Sequence, residues 1–151
     1  MVSEDSPDTV RFGLMLAAVA TFVGCSKEVR VEAKLDATHE RLMRIGSAYV
    51  QFNTKNKRPP KSAEDIKPLL RAYGNFEELL RSPRDGEPYV ICWGVDLLVP
   101  PKWAKTTPVL ACEQRGAQGK RYVLTTLRSV EQLSDEQFNQ ASFPPGHQRP
   151  P

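Results

Sequence analysis

"RLMRIGSAYVQFNTKNKRPPKSAEDIKPLL", residues 41–70, decides how the domain begins. Leading into and through this stretch, apolar residues stand at Leu35, Leu42, Ile45, Tyr49 and Phe52, spaced 7, 3, 4 and 3 apart. That spacing returns to one side of an α-helix at each turn, whereas a half-buried strand would alternate. Lys34, Arg41, Arg44 and Gln51 lie mostly off the stripe. No Pro or strong turn signal interrupts 31–56, so one long amphipathic helix is expected there, with its stripe destined for a core. Asn56 and the Pro59-Pro60 pair should end it. Ser62, with Asp65 three residues on, reads as the N-cap and acidic first turn of a second helix. Asn75 reads as the cap of a short helix over 76–81.

Downstream the period changes. In "SPRDGEPYVICWGV", residues 82–95, Asp85-Gly86 is a turn dipeptide. It is followed by a run rich in β-branched and aromatic residues, expected as a strand over 89–95. A second strand is expected over 109–113 and a third over 121–127, with Gly116 and Gly119 making the turn between them. The loop over 96–107 carries Pro100-Pro101 and Trp103. Its length is typical of functional or mobile connections. Ser134 should cap a helix of one to two turns ending near Ala141. Residues 143–151, "FPPGHQRPP", read as a Pro-rich disordered tail. The sum is an α+β chain: a long amphipathic helix across one face of a small three-stranded antiparallel sheet, with short helices between them and near the C-terminus.

Upstream, "LMLAAVATFVGCSKEVR", residues 14–30, ends an uncharged run at a cysteine. From Phe12 to Cys25 the run has 14 residues, about 21 Å as a helix, short of the roughly 30 Å hydrocarbon core of a bilayer. The length suits the apolar region of a secretory signal peptide. The ending Phe22-Val23-Gly24-Cys25 resembles the lipobox of bacterial lipoproteins. The resemblance implies cleavage between Gly24 and Cys25, and attachment of diacylglyceryl and acyl (palmitate-type) lipid to Cys25. Residues 1–11 hold Glu4, Asp5 and Asp8 against Arg11 alone. A start at Val10 would give Met-Arg-Phe-Gly-Leu-Met-Leu, a short basic leader. The alternatives are a core helix with a buried Cys25 and a retained prepilin-like segment. On the lipoprotein reading, 25–30 is the lipidated tether and 31–142 a single domain.

The order of elements also resembles the soluble head of type IV pilins and, more closely, of the major pseudopilin of type II secretion. The run 41–70 is similar to that family's helix, Pro break and following helix. Pro83, Gly86, Pro88 and Tyr89 match its Asp-Pro-Trp-Gly-x-Pro-Tyr segment entering the sheet, with Ser82 and Arg84 in place of the acid and the tryptophan. The resemblance covers 35–127 and implies a pilin-like head. The polymerising half-helix and the acidic calcium loop of that family have no counterpart, so neither filament assembly nor calcium is carried over.

Chemistry is sparse. The histidines are His39, inside the long helix, and His147, in the tail; neither has a nucleophile or a metal-ligand spacing beside it. No Gly-rich phosphate loop opens a helix. The acidic pairs Glu64-Asp65, Glu77-Glu78 and Asp135-Glu136 fall in expected helix first turns, where the dipole accounts for them. Residues 25–151 carry 20 Lys/Arg against 15 Asp/Glu, a mild and scattered +5 that points to no nucleic-acid partner. With Cys25 lipidated, Cys92 and Cys112 are left either to bridge adjacent strands or to sit as buried thiols. Lys55, Lys57, Arg58 and Lys61 form the one local charge concentration, either a contact surface or a solvated turn at a helix C-terminus. Trp103, beside Lys102 and Lys105, is the best single contact residue, unless it folds back over the sheet.

The function expected is that of a non-enzymatic envelope lipoprotein, membrane-bound through Cys25, free of metal and cofactor, with an unidentified envelope protein or polysaccharide as partner. Ser26 favours the outer membrane where lipoproteins are sorted. A secretion-system component docking on pseudopilins and a polyanion- or polysaccharide-binding surface protein are the alternatives.

Overall fold

The computed structural model describes residues 25–151, with side chains from Ala37 onward. The expected signal peptide, including Gly24, and the side chain of Cys25 lie outside the described residues. Helix α1 runs Cys25–Asn56, 32 residues and about 48 Å at 1.5 Å per residue. The stretch expected as a tether, 25–30, is therefore the start of this helix; its Lys, Glu and Arg are all favourable helix formers. Leu42, Ile45 and Tyr49 have no exposed surface, and Phe52 very little, as their spacing predicts. The helix stops where the sequence says it should. Asn56 Nδ2 donates back to Phe52 O at 2.9 Å, and Lys57 turns the chain with a φ of 54°.

Helix α2 (Ala63–Leu70), a 3-10 turn (Arg71–Tyr73) and α3 (Phe76–Leu79) follow. Asn75 caps α3 by accepting from Glu78 N–H at 3.1 Å. Ser62 occupies the N-cap of α2 but makes no side-chain cap bond. The carboxylate of Asp65 instead accepts from Lys61 N–H, the residue before the cap, at 2.7 Å. The charged acceptor is the stronger one.

The sheet has four strands, not three: β1 (Val90–Ile91), β2 (Val109–Cys112), β3 (Lys120–Thr125) and β4 (Val130–Ser134), paired antiparallel in sequence order. Strand β1 is shorter than expected because Gly94, at φ +79°, turns the chain away after one further ladder bond, Cys92 N–H to Leu110 O at 2.7 Å. The β2–β3 turn does use Gly116 and Gly119. At Gly116, φ is +72° and a Cβ would lie 2.3 Å from the Lys120 carbonyl oxygen, so only glycine fits. Strand β4 was missed because its turn carries no Gly, Pro or Asn. Arg128 takes the left-handed conformation at φ 65°, while Thr125 and Ser129 close the turn through backbone and hydroxyl bonds.

Helix α1 covers one face of this sheet. The closest approach is at Gly46, where an added Cβ would stand 3.1 Å from a Leu124 methyl group. Its stripe packs with Ile66, Leu70, Phe76, Leu79, Tyr89, Leu110, Ala111 and Leu124 in the main core. The other face is covered too. Val109, Cys112 and Val123 pack under Phe138 of helix α4 (Asp135–Gln140), whose N-terminus carries a Ser134–Gln137 capping box. Phe143 meets Phe138 edge-on at 5.7 Å.

The tail is irregular, as expected, but it is docked rather than disordered. Pro144 and Pro150 are buried. Ser142 O accepts from Val109 N–H at 2.9 Å, Arg149 donates to Ala141 O at 2.9 Å, and Arg121 donates to Pro151 O at 2.8 Å. Proline has no rotamer freedom to lose on docking, which lowers the cost of holding such a segment on the surface.

Cys92 and Cys112 are free, buried thiols, so the bridge weighed for them does not form. Val90 faces Cys112 across the ladder, which leaves Cys92 diagonal to it. Diagonal neighbours stand about 7–8 Å apart, beyond the usual span of a disulfide. Burial pushes the Cys92 thiol up to about 12 and raises that of Cys112, so both act as small neutral hydrophobes.

Candidate binding groove

The groove is built around the loop between β1 and β2. Two α1 side chains hold its first half. Tyr49 donates its hydroxyl proton to Cys92 O at 3.1 Å and accepts from Val95 N–H at 2.9 Å. Burial raises the pKa of this phenol, which keeps it protonated as the donor. One turn on, Asn53 Oδ1 accepts from Leu97 N–H at 2.8 Å. Trp93 stacks on the Tyr49 ring with centroids 6.0 Å apart. Pro60 O accepts from Gly94 N–H at 2.8 Å, which brings the basic turn after α1 alongside the same loop. Tyr49 and Asn53 thus position the loop. The sequence marked Tyr49 only as core and passed over Asn53, whose polar character among buried neighbours was the available signal.

The second half of the loop faces the C-terminal tail across a cavity of about 410 Å³. Val99, Pro100, Pro101 and Trp103 form one side, Pro144, Pro145 and His147 the other, with Thr126 between them and Asp96 and Lys102 among the lining residues. Trp103 keeps 46 % of its surface exposed, so it is not folded back over the sheet. Leu98, Val99 and Leu127 are exposed as well. Apart from Met43 and Tyr73, all the exposed large hydrophobics among the described residues lie on this loop or next to Thr126. Such a concentration is the usual sign of a contact surface, and the volume falls within the range of small-ligand sites. The seam under the groove is imperfectly satisfied: Thr126 Oγ1 and His147 Nδ1 are buried without hydrogen-bond partners. His147, expected on the surface, is therefore half buried in the groove wall.

The basic stretch divides. Arg58 is committed to the fold: its guanidinium pairs with Asp65 at 3.2 Å and lies 4.7 Å from the Phe52 ring centroid. The Arg58 hydrogen bond, with that from Lys61 N–H, holds the Asp65 carboxyl below the ordinary 3.8. Lys55, Lys57 and Lys61 are exposed and make no ion pair with a described residue, as do Lys102 and Lys105. Lys102 lines the groove with Trp103, and the Pro60–Gly94 bond joins the turn that carries Lys57 and Lys61 to the start of the loop.

A second polar cluster is structural. Glu113 is wholly buried and pairs with Arg84, itself 5 % exposed, at 2.5 Å. Ser82 Oγ donates to Glu113 at 2.7 Å and Tyr122 N–H donates at 2.8 Å. Burial raises the Glu113 pKa, against the pull of those donors and of Arg84. Asp85 Oδ2 accepts from Arg115 and Gly116 N–H at 3.0 and 2.9 Å. The 82–85 segment is thereby clamped to the β2–β3 turn, with its acceptors filled from within the chain. Sequence reasoning treated Asp85 only as a turn residue and missed the Arg84–Glu113 pair.

Among the described residues no group of three or more His, Cys, Asp or Glu is placed to hold a metal ion, and no helix is long and apolar enough to cross a membrane. No family model matches the chain, and no characterised protein or solved structure matches it.

Proposed function

We propose that this chain is an envelope lipoprotein, anchored through lipid on Cys25, whose small α+β head has a non-catalytic binding role exercised at the Trp103 groove. The observation that carries the binding role is the exposure of Val99 and Trp103 in one groove, with exposed Leu98 and Leu127 each next in sequence to a lining residue. The anchor is supported by the apolar run ending in Gly24-Cys25. From Cys25 the described part of α1 leads without a break into the main core. An anchor at Cys25 would hold the head at the end of a helix, away from the lipid surface. The same order of elements, a long helix laid across an antiparallel meander, supports the pilin-like reading of the head.

Membrane fractionation of cells expressing the full chain or a Cys25→Ser variant tests this. The wild-type chain should sediment with membranes and need detergent for release, while the variant should not. Equal partition of the two chains would contradict the anchor.

A further inference from the structure

We infer that the Trp103 groove binds an acidic polysaccharide, taking the ring of a uronic-acid residue against the indole and the carboxylates against the surrounding lysines. This rests on the proposal that the groove is the contact site of the head.

Two features favour a sugar. The groove offers one large aromatic face, Trp103, in a wall that also holds Val99, four prolines, Thr126 and His147. A pyranose ring presents a flat C–H face of slight positive character, which suits the electron-rich face of an indole, while its hydroxyls stay at the open mouth in water. Prolines carry no N–H, so these walls supply no donor ladder for an incoming peptide strand to pair with. A proline-rich peptide needs no ladder, but it docks in grooves lined by several aromatic rings, and this groove has a single large one.

Charge selects the class of sugar. Lys102 lines the groove, Lys105 follows two residues past Trp103, and Lys55, Lys57 and Lys61 are exposed on the neighbouring turn. Asp96 is the one acid lining the groove, and its Oδ1 is engaged with Leu98 N–H at 3.0 Å. With Lys102 in the groove, Lys105 beside it in the loop and the one lining acid already engaged, the site favours a chain that carries a carboxylate on each ring.

The test is NMR titration of the full chain in detergent with tetragalacturonate, its methyl-esterified form and decaproline. The two indole N–H signals, from Trp93 and Trp103, are assigned with Trp103→Phe. Tetragalacturonate should shift the Trp103 signal, binding should weaken several-fold in raised salt, and the ester should bind more weakly. Trp103→Ala should weaken binding roughly tenfold, and Lys102→Ala/Lys105→Ala a few-fold with a flatter salt dependence. Trp103 is exposed, so its variants keep the fold, which the unchanged remaining amide spectrum verifies. No shift at millimolar tetragalacturonate, binding indifferent to Trp103→Ala, or a Trp103 response to decaproline alone would overturn the assignment. None of those results touches the anchoring of the chain at Cys25, which is read separately from its partition.

Discussion

The two faces of the sheet are both covered, but by different kinds of cover. On one face lies a regular helix whose apolar stripe packs with Leu110, Ala111 and Leu124 in the main core. On the other lie six residues of α4 and an irregular proline-rich strap, joined by a few backbone bonds. The first arrangement maximises buried apolar area per ordered residue, and the second leaves concave surface and an exposed indole at its margin. One face supplies stability, and the margin of the other carries the groove proposed as a site.

Substitutions should grade accordingly. The largest loss is expected at Glu113, the residue just past β2, whose buried carboxylate pairs with Arg84. Glu113→Ala leaves Arg84 buried and unpaired and should cost about 3–5 kcal/mol in denaturant unfolding. Replacing both partners with apolar residues of similar volume should recover much of it, because the pair is expensive to desolvate as well as to break. Ile45→Ala, which opens a cavity under the stripe, should cost about 2–5 kcal/mol. If Ile45→Ala proves nearly neutral, the contrast between the faces is wrong. Phe143→Ala removes one half-buried ring from the strap and should cost roughly 1–2 kcal/mol, since only part of its area leaves water. Trp103→Ala should change stability by no more than about 0.5 kcal/mol, as expected for a surface side chain whose role is contact.

Glu113 also carries a pH signature. Its folded pKa lies above the ordinary 4.5 because burial penalises the charged form. The folded state therefore holds this proton to higher pH than the unfolded chain does. Its contribution to stability is fully present below the ordinary value and is lost as pH rises through the folded one. Glu113→Gln, measured by urea unfolding across that window, should remove this slope. Asp65 works the other way: its folded pKa is lowered, so its contribution is present above 3.8 and lost as pH falls through the folded value. As an exposed group it should contribute little.

The helix-covered face was legible in the sequence and the strap was not, for physical reasons. A stripe at Leu42, Ile45, Tyr49 and Phe52 has only one low-energy disposition, so periodicity gives both the helix and the face it buries. The Gly116–Gly119 turn was equally open to reading, because its backbone accepts no other residue at Gly116. Strand β4 escaped because Arg128 carries a conformation that sequence rules assign to Gly or Asn, and because Glu131 and Gln132 are exposed. Composition identified residues 143–151 as irregular but could not say that they dock, since proline favours both free tails and rigid straps. Trp103 stood out as a contact residue from the loop alone. Its partners in the groove, Pro144, Pro145 and His147, lie more than forty residues further along the chain, and only the fold brings them together. The Cys25 anchor rests on sequence throughout.

That anchor is tested most directly by the intact mass of the protein purified from its native membrane, beside a Cys25→Ser variant. The expected wild-type product begins at Cys25 and carries the added mass of diacylglyceryl and acyl groups, while the variant carries none. A full-length, unmodified chain would contradict the anchor, and residues 12–24 would then belong to the retained protein.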